Sequence, residues 1–177
     1  MKNKVIMDTN VPVKAATSVR DCKDEELEMQ KQCIEYIKKF IDNPKSKLVL
    51  DIDYKILREY YNRIPNTTGL GKLFLKWLNS YKCRIAPEDN IHLDMDSEGN
   101  YVDFPLESRT EYFDWSDRKF IALARVHHEH PPVIQAADGK WYGYKDIFEE
   151  YGIHIEFLDE AYAEMMYKRK ISEKRVN

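Results

Sequence analysis

Four acidic residues occupy positions from which their carboxylates could meet at one point of the folded chain. Asp8 directly follows the apolar run Val5-Ile6-Met7, and Asp138 follows a second apolar run much later in the sequence. Carboxylates that follow parallel strands lie at the edge where open α/β sheets bind their ligands. Glu59, inside a predicted helix, and Asp117, at the start of another, are placed to reach the same edge.

Such a cluster predicts a metal site. Four carboxylates at one point would repel each other, and their pKa values would rise, unless divalent cations neutralised them. Because the set contains only oxygen ligands, it favours Mg²⁺ or Mn²⁺ over Zn²⁺. Thr9 and Asn10, next to Asp8, and Asp114, just ahead of Asp117, are candidates for supporting the ligands.

Each of these residues also has an ordinary structural interpretation. Asp114 and Asp117 fit an N-terminal capping arrangement, in which a carboxylate in the first helical turn is favourable without any metal. Glu59 could instead be a solvated helix residue. Asp138, Thr9 and Asn10 could be turn residues.

The elements that must position these residues alternate between extended and helical patterns. This alternation predicts one α/β domain over residues 1–177, with a mainly parallel sheet. The predicted strands cover residues 4–8, 47–50, 81–86, 132–136 and 153–158. The predicted helices cover residues 24–41, 51 or 53 to 64, 69–80, 114–127, 144–151 and 159–170. A β-hairpin that turns at residues 97–100 is predicted within residues 91–104.

The order and spacing of these features resemble the PIN domain nucleases over nearly the whole chain. The matching segments are Val5-Ile6-Met7-Asp8-Thr9-Asn10, Ile56-Leu57-Arg58-Glu59, Asp117 to Ala124, and Val133-Ile134-Gln135-Ala136-Ala137-Asp138. Ala136 departs from the pattern, since the family usually has Thr or Ser at that place. The resemblance implies a single PIN-like domain with three α/β/α layers and a β-hairpin insertion around residues 88–107.

The activity that the resemblance implies is that of an endoribonuclease with Mg²⁺ or Mn²⁺ as its cofactor. The catalytic metal ligands would be Asp8, as the central one, with Glu59, Asp117 and Asp138. A toxin with an antitoxin partner is one setting for such an enzyme, and another protein partner or a homodimer stays open. The alternative is an interaction module of the same fold that binds RNA or protein with little or no catalysis.

The segment after Asp138 is the candidate RNA contact. Trp141, Tyr142 and Lys145 fall in an expected exposed loop, where aromatic rings could stack on unpaired bases and a cation could bind phosphate. Packing of two of the aromatic residues in the core is an alternative. The basic segment 168–170 could follow a nucleic-acid backbone or simply solvate the end of the chain.

Three further motifs are weaker candidates. His127-His128-Glu129-His130 could bind a metal, but histidines at a helix end are more often there for dipole and solvation reasons. Residues 94–100 resemble the start of a calcium loop, although Pro105 stands where the ligand glutamate belongs. Residues 48–53 resemble the aspartyl nucleophile segment of haloacid dehalogenase-like phosphatases, although Lys55 breaks that pattern.

Composition restricts the class of protein. The 177 residues carry a formal charge of −3, with 43% hydrophobic and 33% charged residues, as in ordinary globular domains. A wholly basic surface is excluded, so that any RNA contact must be local. Three cysteines without metal-ligand spacing, Cys22, Cys33 and Cys83, fit buried thiols in a reducing compartment. Because no signal-peptide core and no bilayer-spanning apolar run is present, a cytoplasmic protein without a membrane partner is expected.

Overall fold

The computed structural model describes residues 2–66 and 69–176. Helices and strands alternate along most of the chain. In order, they are β1 (Lys4–Met7), α1 (Asn10–Ala16), α2 (Leu27–Asp42), β2 (Lys47–Leu48), β3 (Leu50–Asp51), α3 (Lys55–Arg63), α4 (Gly69–Lys82), β4 (Asn90–Ile91), α5 (Arg118–Val126), β5 (Val133–Gln135), α6 (Gly139–Glu150), β6 (Ile155–Phe157) and α7 (Glu160–Val176). None of the described helices is long and apolar enough to cross a membrane.

The main sheet has four parallel strands in the order β2-β1-β5-β6. Ile6 in β1 is in register with Val133 in β5, and Val133 is in register with Ile155 in β6. A separate pair, β3 and β4, is also parallel. The predicted α/β class with a mainly parallel sheet is therefore confirmed. Since β1 and β5 run in the same direction, the residues that follow them, Asp8 and Asp138, lie at the same edge.

The centre of the molecule is apolar because β1 and α5 are buried along most of their length. Val5, Ile6 and Met7 are inaccessible to solvent, as expected of a strand that is covered on both faces. Helix α5 packs against β1 and β5, and its residues 120–124 are all buried. Ala122 and Ala124 keep that helix close to the sheet, which places Asp117, the residue just before the helix, near the end of β1.

Helix α1 was not expected from the sequence. It begins at Asn10, immediately after the strand and its turn, and packs against α2 and α4. Pro12 lies in its first turn, where the missing N–H has no intrahelical partner to lose.

The predicted helix at residues 24–41 is found as a short 3-10 turn, Asp24–Glu26, followed by α2.

The predicted strand at residues 81–86 is wrong. Tyr81 belongs to the last turn of α4, and its ring stacks on that of Trp77, with 4.8 Å between the centroids. The Tyr81 hydroxyl donates to the carbonyl of Leu48 and accepts from the N–H of the same residue, at 3.1 and 3.0 Å. These contacts hold α4 against β2, and the strand that follows in the chain is β4.

The predicted hairpin around residues 88–107 is reduced to one antiparallel bridge, between Met95 and Tyr101. Asp96 closes the turn between them, because its carboxylate accepts hydrogen bonds from the backbone N–H groups of Glu98 and Asn100. Apart from β4, which pairs with β3, the rest of the segment has no strand ladder. The buried Arg118 contacts this segment, because its guanidinium donates to Oδ1 of Asn100 at 3.3 Å, and it also donates to the backbone carbonyls of Glu111 and Phe113 just beyond it.

Helix α6 begins five residues earlier than the sequence indicated. Asp138 caps it, accepting a hydrogen bond of 2.7 Å from the N–H of Lys140. The expected exposed loop at residues 141–145 is therefore part of a helix. This change places Trp141 on a buried helix face, with consequences for the proposed RNA contact.

Candidate functional site

Asp8 is the most buried acid of the predicted set, with 2% of its surface exposed. Its backbone N–H donates to the carbonyl of Ile134 at 2.9 Å, which continues the pairing of β1 with β5 and fixes its position. Its Oδ1 accepts a hydrogen bond of 2.8 Å from the N–H of Asn10. Burial raises the pKa of Asp8 to about 7, with further upward contributions from the charges of Asp117, Glu59 and Asp138.

The structure therefore brings all four sequence-predicted acids within electrostatic range of one another. Each is delivered by a different element: the end of β1, the middle of α3, the start of α5 and the start of α6. Tyr60 fixes α3 in this arrangement, since its hydroxyl donates to the carbonyl of Met7. Asp51 caps the same helix by accepting from the N–H groups of Lys55 and Ile56, and this accounts for the acidic segment that resembled a phosphatase motif.

Lys119 is a site residue that sequence reasoning missed. Its side chain is 7% exposed, its Nζ lies 2.7 Å from Oε2 of Glu59, and it also donates to the carbonyl of Ser116. A lysine at the start of a helix is opposed by the helix dipole, which is a signal that an acidic partner stands nearby. The structure identifies that partner as Glu59.

Glu59 differs from the other acids in its charge balance. Its second oxygen, Oε1, lies 3.2 Å from a guanidinium nitrogen of Arg63. Burial acts to raise the pKa of Glu59, but the hydrogen bond and charge of Lys119, together with Arg63, hold it below the ordinary value. The interpretation of Glu59 as a solvated helix residue is therefore wrong, because its carboxylate is largely covered and bound by two cations.

Asp117 lies at the N-terminus of α5 and has a raised pKa. The main cause is burial, which a hydrogen bond from Nε1 of Trp141 to Oδ2 partly opposes. Asp114 caps the short turn that leads into α5, accepting from the N–H and hydroxyl of Ser116 at 3.0 and 2.8 Å. The capping interpretation of Asp114 is thus confirmed, and the hydrogen bonds from Ser116 lower its pKa.

Asp138 is the most open of the four acids. One of its oxygens caps α6, and the same oxygen lies 3.8 Å from Nζ of Lys170. Asn10, beside Asp8, accepts a hydrogen bond of 3.3 Å from Arg63 through its Oδ1. Both residues therefore have structural partners.

Thr9 contributes a buried hydroxyl without an ordinary hydrogen bond. The residue is inaccessible to solvent, and its Oγ1 has no hydrogen-bond partner among the described residues. The hydroxyl nevertheless lies near enough to Glu59 to lower the pKa of that carboxyl.

The residues predicted to contact RNA are not presented as expected. Trp141 is 1% exposed and packs edge-on against Phe113, with 5.1 Å between centroids, so its ring cannot stack on a base. Tyr142 is half-buried against Phe157 and Tyr167. Lys145 forms an ion pair with Glu160. The prediction of an exposed aromatic loop is wrong because α6 already includes these positions.

The histidine and cysteine motifs have structural explanations. His127 is buried, with Nε2 3.3 Å from Oδ1 of Asp89, and it supports the fold at a place separate from the acidic cluster. The three cysteines are free thiols. Only Cys33 is buried as expected, since Cys22 is half-buried and Cys83 is exposed.

The oxygen donors fit a hard cation, although they do not form a ready-made cage. Within residues 2–66 and 69–176, no three His, Cys, Asp or Glu side chains are close enough, as placed, to hold a metal ion. The carboxylates of Asp8 and Asp117 and the unsatisfied hydroxyl of Thr9 are nevertheless the donor types that Mg²⁺ and Mn²⁺ prefer. Comparisons of the chain with protein-family models, curated proteins and solved structures found no match.

Proposed function

We propose that this protein is a ribonuclease that depends on Mg²⁺ or Mn²⁺ and has the three-layer arrangement of a PIN-like domain. The observation that supports it is the position of Asp8, buried at the carboxyl end of the central strand with three more carboxylates acting on its ionisation. Buried like charges destabilise a fold unless a cation neutralises them. A bound divalent ion would neutralise these carboxylates and make the cluster a catalytic site.

Asp8, Asp117 and Asp138 are the residues that would hold the ion. When bound, it supplies positive charge for a phosphate oxygen and lowers the pKa of a water molecule. The N–H of Asn10 orients the carboxylate of Asp8, and the indole of Trp141 orients that of Asp117. Each carboxylate is thus held in place by a donor from its own surroundings.

Glu59 has a different task in this proposal. Its lowered pKa keeps it ionised at neutral pH, so that it can orient the attacking water by accepting a hydrogen bond from it. Lys119 and Arg63 fix its orientation through one contact to each oxygen. Their charges also attract a phosphate to this side of the cluster.

A groove of about 770 Å³ next to Asp117 is the proposed path of the RNA. Its lining includes three tyrosines and three basic residues, namely Tyr112, Tyr144, Tyr167, Arg109, Lys140 and Lys170. Tyr112 is 84% exposed, so that its ring is available to an unpaired base. Aromatic faces and cations beside the carboxylates favour a single-stranded substrate over a rigid duplex.

The test is cleavage of a fluorophore-labelled RNA by the purified protein. We expect single-stranded RNA to be cut in Mg²⁺ or Mn²⁺ and not in EDTA, and Asp8→Asn to abolish the cut. Asp146→Asn is the matched control, because it makes the same chemical change at an exposed position. A folded protein that cuts neither single-stranded nor structured RNA with either ion would contradict the proposal.

The second candidate function is an interaction module that binds RNA or protein without cleaving it. Two observations favour it: Lys119 already neutralises Glu59, and the described residues contain no preformed three-ligand metal group. This candidate predicts that RNA binds in EDTA as tightly as in Mn²⁺. The nuclease proposal predicts tighter binding when the ion is present.

A further inference from the structure

The acidic cluster divides into two parts with different charge balance. In one part, both oxygens of Glu59 contact a cation, at 2.7 Å for Lys119 and 3.2 Å for Arg63. In the other part, Asp8 and Asp117 form no ion pair with any cation in the described portion of the chain. The need for an added cation is therefore greatest at Asp8 and Asp117.

Lys119 is a fixed component of the site. Its side chain is almost fully covered, and its ammonium group is held between Oε2 of Glu59 and the carbonyl of Ser116. Ser116 lies in the short turn that leads into α5 and Lys119 in the first turn of that helix, on either side of Asp117, so the same helix start positions the ammonium and the acid. A buried ammonium group remains with its partners because it has no solvated alternative nearby.

We infer that the ammonium of Lys119 takes the place of one of two metal ions, so that the site binds a single divalent cation at Asp8 and Asp117, with Asp138 as the third ligand. The inference rests on the proposed function and assigns Glu59 as the partner of a lysine instead of a metal ligand. In two-ion sites the metals stand roughly 3.5 to 4 Å apart and are bridged by carboxylates. The ammonium of Lys119, 2.7 Å from Oε2 of Glu59, already supplies a cation to the carboxylate that a second ion would otherwise have to neutralise.

This arrangement also gives Lys119 a direct role toward the substrate. An ammonium group has three N–H donors. Two of them are used by Glu59 and by the carbonyl of Ser116, and the third is left for a phosphate oxygen. Lys119 would thus contribute, as a tethered point charge, the stabilisation of phosphate that a second metal ion provides elsewhere.

The test is the number of Mn²⁺ ions bound by the whole protein without RNA. We expect isothermal titration calorimetry to give one ion for the wild type, and electron paramagnetic resonance to show an isolated Mn²⁺ signal. Lys119→Met keeps the length of the side chain and removes its charge, and should bind two ions with the signal of a coupled pair. Lys76→Met, which makes the same change at an exposed lysine of α4, should still bind one.

Two ions in the wild type, or one ion in a folded Lys119→Met variant, would overturn the inference. If Lys119→Met does not fold, Glu59→Gln decides: we expect one ion with an affinity within about fivefold of wild type, whereas loss of a ligand would weaken binding more than tenfold. One ion without RNA cleavage would overturn the proposed function alone. Two ions with cleavage would overturn the inference alone, and no binding would overturn both.

Discussion

The indole nitrogen of Trp141 donates a hydrogen bond of 3.0 Å to Oδ2 of Asp117. This contact joins the start of α6 to the start of α5. It gives the buried Trp141 a function other than stacking on RNA. A hydrogen bond to an ionised group in a covered site is typically worth about 1.5 to 3 kcal/mol. It also holds the carboxylate in one orientation.

Trp141→Phe tests this role, because it keeps an aromatic ring and removes the donor. We expect the affinity for Mn²⁺ to fall by about 10- to 100-fold, as is usual when a group that orients a metal ligand is lost. The measurement is a calorimetric titration with Mn²⁺. Trp77→Phe is the control, since Trp77 stacks on Tyr81 away from the acids. Equal losses in the two variants would refute a specific role of Trp141.

Asp8→Asn should make the protein more stable in the absence of metal. The amide has the shape of the carboxylate and its oxygen still accepts from the N–H of Asn10, while the buried charge is removed. At pH 8 we expect a gain of about 1 to 2 kcal/mol in the free energy of unfolding. Urea denaturation followed by circular dichroism measures it.

The same variant should lose the stabilisation that Mn²⁺ gives to the wild type, since the ion binds the native cluster and stabilises it by mass action. Asp146→Asn, at an exposed position, should change the free energy of unfolding by less than about 0.5 kcal/mol. A loss of stability in metal-free Asp8→Asn would show that the charge of Asp8 is already compensated.

The metal-free protein should lose stability as the pH rises from about 4 to about 7. The pKa of Asp8 is about 7 in the folded state, above its value of about 4 in the unfolded chain, so the unfolded chain releases its proton first. The expected slope is about 1.4 kcal/mol per pH unit from Asp8, and the raised pKa of Asp117 acts in the same direction. Urea denaturation at several pH values in EDTA measures this slope, and a flat profile would contradict it.

The parts of the site that follow strands could be predicted from the sequence because the signal is local. The apolar runs of β1 and β5 end abruptly at Asp8 and near Asp138, and a parallel sheet brings such ends together. Glu59 and Asp117 could be placed because the helices around them have a regular apolar period. Lys119 could not, since its role depends on a contact between two helices that are 60 residues apart in the chain.

The start of α6 could not be predicted because two of its glycines are typical of a loop. Their real function is to let α7 approach. A Cβ on Gly139 would lie 2.6 Å from the backbone N of Tyr167, and one on Gly143 would lie 2.4 Å from the ring of the same residue. Local propensity therefore indicated a break in the helix where tertiary packing requires small residues.

A second buried ion-pair network lies at the other end of β1. Asp89 is inaccessible to solvent and contacts Nζ of Lys4 at 2.7 Å and Nε2 of His127 at 3.3 Å. We expect Asp89→Asn to lower the free energy of unfolding by about 3 kcal/mol, because Lys4 loses a buried partner. Mn²⁺ binding should be unchanged, because Lys4 lies at the start of β1 and Asp8 at the opposite end of that strand. Urea denaturation and a Mn²⁺ titration measure the two effects, and a change in Mn²⁺ affinity would show that the ends of β1 are coupled.

The final prediction concerns Tyr112, which replaces Trp141 as the proposed contact for an RNA base. In the Asp8→Asn background, where RNA should stay intact, Tyr112→Ala should weaken binding of a single-stranded oligonucleotide by about 1 to 3 kcal/mol, the usual value for one stacked base. Fluorescence anisotropy measures the affinity. Tyr54→Ala is the control, because Tyr54 is 52% exposed and does not line the groove.

Duplex RNA gives the second comparison, since its bases are already stacked on each other and offer no free face to Tyr112. Tyr112→Ala should therefore leave duplex binding within about twofold of the parent protein. If the single-stranded oligonucleotide binds equally well to both Tyr112→Ala and the parent, the groove beside Asp117 is not the path of the RNA. Lys140 and Lys170, which line the groove, would then have only the structural role of their ion pairs with Asp114 and Asp138.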